Sequence, residues 1–504
     1  MSEESIMLEQ ESRSVDVIVA RQEIPYSVIA DDLSEAGKNS YYSEVEKILQ
    51  YYETYKQGQE FTPEGSNGDY VPSMLRYRKA ASIVNKEARF LFASPPTFTV
   101  NANDTAVEMR APNTILQDFL NSVLNKNNFN GKLLKAAKDC FIGKRVALVL
   151  NFNETTGISI TFLNAFEFVY EMAGDNNEEL TKLVTYYNME DTLHKQSQRW
   201  FKKVYTLEQG IVYVEEKIYD GLGVELEEVT PKKKTKFTYI PAVVILNDGL
   251  TGETRGESEL GYLIDYESEY SRLANADIDA GRKGMNPTRY TVDASVGSTE
   301  GLSISPGSFW DIQSDDEKAV DRQAKVGLLE PSMNYSSALK TTLDRLENTM
   351  YGELDVPNIN SEQLQGVITS GKTLKALYWG LIVRCDEKML SWGPALQFIA
   401  EAILDGGRLY PNCIKKYTLE SSLPNVQYEV KVENNYPLPE DVAEEKDVDL
   451  SEINAQTMSR KSYMKKWRGL SDKEADEELE QIKREQDLFE NSAVMPPTDF
   501  TEEV

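Results

Sequence analysis

Residues 366–373 read Gly-Val-Ile-Thr-Ser-Gly-Lys-Thr, a literal match to the phosphate-cradling pattern G-x-x-x-x-G-K-[S/T]. At face value the stretch makes the chain a nucleotide hydrolase, with backbone amides, Lys372 and Thr373 holding phosphates and Mg²⁺. Such a loop needs a buried apolar strand before it and a helix after it. The helix is credible: Leu374, Leu377, Leu381, Cys385 and Met389 recur at three- and four-residue spacing. The strand is not, because the residues from Asp355 to Gln365 are polar and include Pro357. An acid to help hold Mg²⁺ has one good candidate, Asp248 after the run Val243-Val244-Ile245-Leu246-Asn247. It lies upstream of the glycines, the reverse of the usual order. The competing reading is a Gly/Ser-rich helix start that matches a loose pattern by chance.

Outside that segment nothing in the 504 residues looks catalytic. Forty per cent apolar and 27% charged residues suit a soluble globular protein of two to four structural units. The net charge of −29 argues against wrapping DNA or coating an anionic membrane, since affinity for phosphates comes from Lys and Arg. It is compatible with lying close to DNA without adhering to it. Cys140, Cys385 and Cys413 are too few and scattered for a disulfide framework or a thiolate metal site, and point to synthesis in a reducing compartment. His194, the only histidine, sits in a polar run and reads as an exposed loop residue. No metal or cofactor is expected. Glu3, Glu4, Glu9 and Glu11 stand where a signal peptide needs positive charge, and the longest apolar runs are strand-sized, far short of a membrane span.

Along the chain, residues 1–39 read as a flexible acidic arm. A helix over 43–57 carries a capping-box pair, Ser43 and Glu46, and a longer one over 73–92 stops at Pro95-Pro96. Two more helical stretches fill 114–142. From Arg145 to Leu246 come short β-rich runs, among them 146–150, 158–162, 184–187, 204–206, 211–214 and 237–240, as in a largely antiparallel sheet. Lys232-Lys233-Lys234 decorates a hairpin turn or touches a phosphate. A long helix over 258–283 is followed by short strands at 290–292 and 308–312, then by a helix over 332–351. The helix from Thr373 to about 404 meets Gly393-Pro394, which forces a kink or a break. A strand at 426–432 precedes a helix over 447–467 and one capped by Ser471 with Glu474. From residue 491 the chain reads as an acidic tail.

This order, with four short motifs, resembles the portal proteins of tailed bacteriophages, in particular the family from long-tailed phages of Gram-positive hosts. The motifs are Tyr77-Arg78-Lys79 with Ala88-Arg89-Phe90-Leu91-Phe92-Ala93-Ser94-Pro95-Pro96, Ile240-Pro241-Ala242-Val243, Gly256-Glu257-Ser258-Glu259-Leu260, and Thr369-Ser370-Gly371-Lys372-Thr373-Leu374-Lys375-Ala376-Leu377. Each is loose alone; their order is specific, and the likeness spans about residues 40–490.

The resemblance implies an α+β portal fold. Residues 40–257 would form a wing, 258–283 and 332–353 the two stem helices, and 284–331 a β-containing clip. Residues 354–372 would be a tunnel loop, 373–438 the kinked wing helix and strand, and 439–490 a helical crown. It implies a non-enzymatic ring of about twelve subunits at one capsid vertex of the virion, made in the host cytoplasm, with no membrane partner. The ring would nucleate procapsid assembly with capsid and scaffolding proteins, dock the terminase motor and pass double-stranded DNA. It would later hold head-completion and tail proteins. Asn360, Gln363, Gln365 and Lys372 would face DNA, with helix-start solvation the other reading of Lys372. Arg282, Lys283 and Arg289 would face the motor or DNA, or pair with nearby carboxylates. Two alternatives stay open: a P-loop ATPase, and an adaptor or scaffold that forms no ring.

Overall fold

The computed structural model of the protein describes residues 26–29, 32, 35–63, 71–102, 112–174, 179–189, 199–250, 252–285, 288–298, 310, 312–315, 323–329, 333–359, 375–418, 422–437, 442–468, 470 and 472–492. The chain opens with helices α1 (Tyr26–Ile29), α2 (Glu35–Gln57) and α3 (Lys79–Phe92), then strand β1 (Thr97–Ala102), α4 (Pro112–Lys126) and α5 (Phe129–Gly143). Eight strands follow: β2 (Arg145–Asn153), β3 (Gly157–Asn164), β4 (Phe168–Met172), β5 (Leu180–Asn188), β6 (Arg199–Glu208), β7 (Ile211–Asp220), β8 (Glu225–Lys234) and β9 (Ala242–Leu246). Next come the long helix α6 (Glu259–Met285), the strands β10 (Thr288–Val292) and β11 (Lys325–Leu329), and α7 (Ser336–Glu353). The chain continues with α8 (Trp379–Leu409), α9 (Pro411–Ile414), β12 (Tyr428–Glu433), α10 (Val442–Asn454), α11 (Arg460–Arg468) and α12 (Asp472–Ser492). This is the expected α+β class. Two compact units emerge: Met1–Asn358 with Tyr378–Pro437, and Ile359–Leu377 with Leu438–Val504.

Every strand pairing among the described residues is antiparallel. β2 is the centre of a three-stranded sheet ordered β3-β2-β9, while β4 to β8 form a five-stranded meander. The two sheets share a core: Ala147, Val149, Ala242 and Val244 meet Phe168, Leu183, Tyr205 and Val212. The alternate residues of β2, Val146, Leu148 and Leu150, are buried as well, with α5 and α8 lying against the strand. Burial on both faces explains the unbroken apolar run at 146–150, where a half-exposed strand would alternate. The far face of the five-stranded sheet buries Val184, Tyr186 and Trp200 under Val28 and Ile29. Residues 26–29, inside the expected loose arm, are therefore a fixed cover.

Several expected boundaries are corrected. The helix expected over 73–92 begins only at Lys79, and residues 71–78 are extended. Phe237 to Ile240 is not a strand but a set of bends that buries Phe237 and Ile240. The strand starts beyond Pro241, whose carbonyl accepts the Leu150 amide at 2.9 Å. Lys232, Lys233 and Lys234 lie on the edge strand β8, and the hairpin turn is at Gly223 (φ +83°) instead. The partner of β10 is β11; Trp310 and Ile312 have no strand pairing, and the other residues of the expected 308–312 strand lie outside the described set. Pro394 does not break α8, which continues as one helix of 31 residues.

In the smaller unit the helix expected over 447–467 is two. Gln456 (φ +59°) ends the first, and the Ser459 hydroxyl caps the second by accepting the Ser462 amide at 3.0 Å. Trp467 Nε1 donates to Asp449 at 2.6 Å, which ties α11 back to α10. Ser471, the expected cap of the last helix, lies outside the described residues.

Candidate functional site: an anchored helix pair

α6 starts at a built corner. The Ser258 hydroxyl accepts the Leu260 amide at 3.2 Å and donates to the Ile142 carbonyl at 2.7 Å, so one side chain caps the helix and ties it to α5. Gly256 precedes it at φ +68°, where a β-carbon would stand 2.5 Å from the Lys144 oxygen and 2.7 Å from that of Asn247. Only glycine fits there.

Glu259, in the first turn of α6, is fully buried, and so is Glu87 of α3. Both meet cations on α8. Arg384 donates to Glu87 at 2.8 Å and also to Glu259. Lys388 donates to Glu259 and, at 2.9 Å, to Asn247 at the end of β9. The cluster thus joins two helices and a strand to the start of α6. Burial raises the Glu259 carboxyl, but Lys388 and Arg384 outweigh it and hold the group below the ordinary carboxylate range. Glu87 is pushed up to about 7 by burial, then by the charge of Glu259, with Lys388 and Arg384 drawing it back only in part.

Further along, α6 carries four buried polar residues at four-residue spacing: Glu267, Ser271, Asn275 and Asp279. Against them lies the extended segment 71–78. Ser73 N donates to Asp279 at 3.0 Å, Leu75 N to Asn275 at 2.8 Å, Tyr77 N to Ser271 at 3.3 Å and Ala80 N to Glu267 at 3.3 Å. For the first three contacts, two residues of extended chain advance about 6.6 Å and four residues of helix about 6.0 Å, so the two ladders keep step. The fourth donor, Ala80, already belongs to α3. One α6 face is thereby committed to a backbone strap.

α7 runs beside α6. Lys79 pairs with Glu347 at 2.8 Å, Tyr266 donates to Glu353 at 3.2 Å, and Lys86 donates to the Tyr351 hydroxyl at 2.9 Å. Only Met350 and Tyr351 of α7 are buried; Leu339, Leu343 and Leu346 are half-buried. At the far end β10 and β11 make a two-stranded ribbon with apolar groups showing on both faces. Tyr290 and Val292 are about half exposed, as are Val326 and Leu328.

Of the sequence-predicted residues, Arg282 and Lys283 lie exposed in the last turn of α6, where cations complement the helix dipole. Arg282 is 3.6 Å from the Asp279 carboxylate one turn earlier in the same helix. Arg289, on β10, stacks over the Trp310 ring at 4.5 Å. Asn360, Gln363, Gln365 and Lys372 lie outside the described residues, as do the whole 366–373 match and His194. Asp248, the acid the P-loop alternative would need, follows a strand of an antiparallel sheet and faces Lys388 at 3.7 Å. Residues 354–359, ahead of the glycines, form no strand, though Leu354 and Val356 are buried. Among the described residues, the P-loop reading finds no strand at 354–359, and its candidate acid faces a lysine in an antiparallel setting.

The arrangement holds and braces; it carries no reactive group. Burial pushes the Cys140 and Cys385 thiols well up. Among the described residues no cluster of His, Cys, Asp or Glu could hold a metal, and no helix is long and apolar enough to cross a membrane. The buried charge cluster was missed in the sequence, although its signal was there. Glu87 interrupts the buried stripe Ile83, Val84, Ala88 and Leu91, and the α8 stripe runs Leu381, Cys385, Lys388 and Trp392, not through Met389.

No individual curated protein matches the chain. A family model described as phage portal protein, SPP1 Gp6-like, matches residues 31–273 and 308–488. That match takes in the three- and five-stranded sheets, the charge cluster, the first part of α6 and all of α7. It leaves out residues 1–30, 274–307 and 489–504, and with them α1, the end of α6 and the first strand of the ribbon. The chain therefore belongs to the phage portal protein family of SPP1 Gp6-like type, a family of structural rather than enzymatic proteins.

Proposed function

We propose that the protein assembles as a closed ring at a single capsid vertex, of about twelve copies as closed cyclic symmetry permits, and that duplex DNA passes through its centre. The observation that carries this is the unfinished state of the helix pair and its ribbon. A two-stranded ribbon is marginal alone, and this one shows Tyr290, Val292, Val326 and Leu328. Among the described residues the stripe of α7 is only half covered, with Leu339, Leu343 and Leu346 still partly exposed. Both features are met when neighbouring copies pack side by side.

In this reading α6 and α7 form the stem, and the ribbon with Arg282, Lys283 and Arg289 meets the terminase motor. The segment 354–372, with Asn360, Gln363, Gln365 and Lys372, faces DNA, and the C-terminal helices form the crown. The ring also nucleates the procapsid and later seats head-completion proteins. The net charge of −29 per copy suits a channel wall, because DNA slides past a surface that offers few cations to its phosphates. Top-view electron microscopy of the purified protein tests the reading. Rings with a central hole are expected; only single copies at micromolar concentration would leave an adaptor without ring formation.

A further inference from the structure

One face of α5 concentrates cations that make no ion pair among the described residues. Lys135 and Lys138 stand one turn apart on it, and the guanidinium of Arg89 from α3 lies close enough to Lys138 to repel it. Among the described residues none of these three side chains has an ion pair or a hydrogen bond. The chain as a whole carries 83 acidic and 54 basic residues, so this cluster is a local cationic patch on an acidic protein. Other cations in the same unit are paired, Lys79 with Glu347 and Arg145 with Glu44 among them. Burial, then Arg89, holds the Lys138 ammonium below its ordinary range, with Asp139 offsetting only part.

Lys138 and Lys135 line a cavity of about 370 Å³ with Lys56 and the rings of Tyr52, Tyr55 and Phe166. Tyr52 and Phe166 are in contact, with ring centres 5.4 Å apart. The one acid in the wall, Asp139, accepts a hydrogen bond from the Tyr52 hydroxyl at 3.1 Å. The cavity has room for side chains, whereas duplex DNA is too wide to enter it. Aromatic walls suit the methylenes of a glutamate while the ammonium groups meet its carboxylate.

We infer that this pocket receives acidic side chains from a second copy of the chain. The inference rests on the ring reading above. Copies that each carry −29 repel one another, so a side-by-side contact needs a cationic face on one copy to meet acidic residues of the next.

The test is the double charge reversal K135E/K138E, together with carbodiimide cross-linking of rings built from isotopically light and heavy copies. Light-to-heavy cross-links from Lys135 or Lys138 to an Asp or Glu are expected. The variant should melt like the wild type and give about tenfold fewer rings at low salt. If K135E/K138E misfolds, K135Q/K138Q and the cross-links decide. Wild-type ring yield without interchain cross-links overturns the inference. So does loss of affinity for a duplex oligonucleotide while rings still form, which would assign the cations to nucleic acid. A wild-type protein that forms no rings sinks the ring reading itself and takes this inference with it.

Discussion

Leu75 and Asn275 are joined by two hydrogen bonds: the Leu75 amide donates to Oδ1 of Asn275 at 2.8 Å, and Nδ2 returns one to the Leu75 carbonyl at 2.7 Å. One carboxamide completes both backbone groups of an extended residue, which a neighbouring strand would otherwise do. Asn275→Leu removes both partners and should cost about 2 kcal/mol in urea unfolding, because backbone groups held against a helix are left unmet. Limited trypsin digestion gives an independent readout, with cleavage after Arg76 and Arg78 faster in the variant. Unchanged stability and unchanged cleavage would mean that the strap is held by side-chain packing alone.

The buried cluster predicts an asymmetry between its members. Lys388→Met strands the Glu259 carboxylate beside a single remaining cation, Arg384. Loss of one partner of a buried pair typically costs about 3–5 kcal/mol. Glu87→Gln should cost much less, since Glu87 is pushed up to about 7 and near neutral pH spends much of its time uncharged. Chemical denaturation at pH 7 ranks the two. Equal losses would show that Glu87 is as fully ionised as Glu259.

Gly256→Ala should be among the most damaging single-methyl additions in the chain. The new methyl meets two backbone oxygens closer than 3 Å, and neither can swing away as a side-chain end would. A left-handed φ adds strain on top, of order 1–3 kcal/mol. Loss of soluble expression, or a melting temperature several degrees lower, is the expected result. A variant that melts like the wild type would mean that the corner relaxes freely.

The parts of this fold legible in the sequence are those set by local pattern. The run at 146–150 is buried throughout and Val212 is buried within 211–214, while α6 and α7 lie within a few residues of their expected spans. Residues 73–78 were misread because their partners are 194 to 206 positions away, and Arg76, Arg78 and Met74 favour helix when taken alone. The charge cluster was hidden for the same reason. Glu87, Asn247, Glu259, Arg384 and Lys388 come from four distant segments, and only their contact makes five ordinary polar residues into an anchor. The two residues that most plainly broke a local rule, Glu87 and Lys388 on apolar stripes, turned out to belong to it.

Lys372 makes the 366–373 segment look like a nucleotide site, and the antiparallel sheets around Asp248 oppose that reading. The purified protein should hydrolyse no ATP, and MgATP should leave its melting temperature unmoved, since a ligand that does not bind the folded state cannot stabilise it. Lys372→Ala should leave both results as they are. A melting shift with MgATP that disappears in Lys372→Ala would restore the nucleotide reading.

Acidity gives the last test. Glu267 is pushed up to about 7 by burial, with the amides of Ala80 and Lys79 drawing it back only in part, and one of its oxygens has no hydrogen-bond partner. A carboxyl with a folded pKa above its ordinary value of 4.5 holds more protons folded than unfolded. Its contribution is therefore complete below that ordinary value and is lost as pH rises through about 7. Glu87 acts in the same direction; Glu259, held low by Lys388 and Arg384, acts in the opposite one, and its contribution is lost on acidification. Between roughly pH 5 and 8 the wild type should lose on the order of 2 kcal/mol at fixed ionic strength. Glu267→Gln keeps an acceptor for the Ala80 amide but cannot titrate, so its curve should be flatter by about half of that fall. Slopes are the quantity to compare, because the new amide also places a donor where the unpartnered oxygen was. Parallel curves would show that Glu267 is already ionised in the folded protein, and the strap would then be held at this end by a charge rather than by a neutral acid.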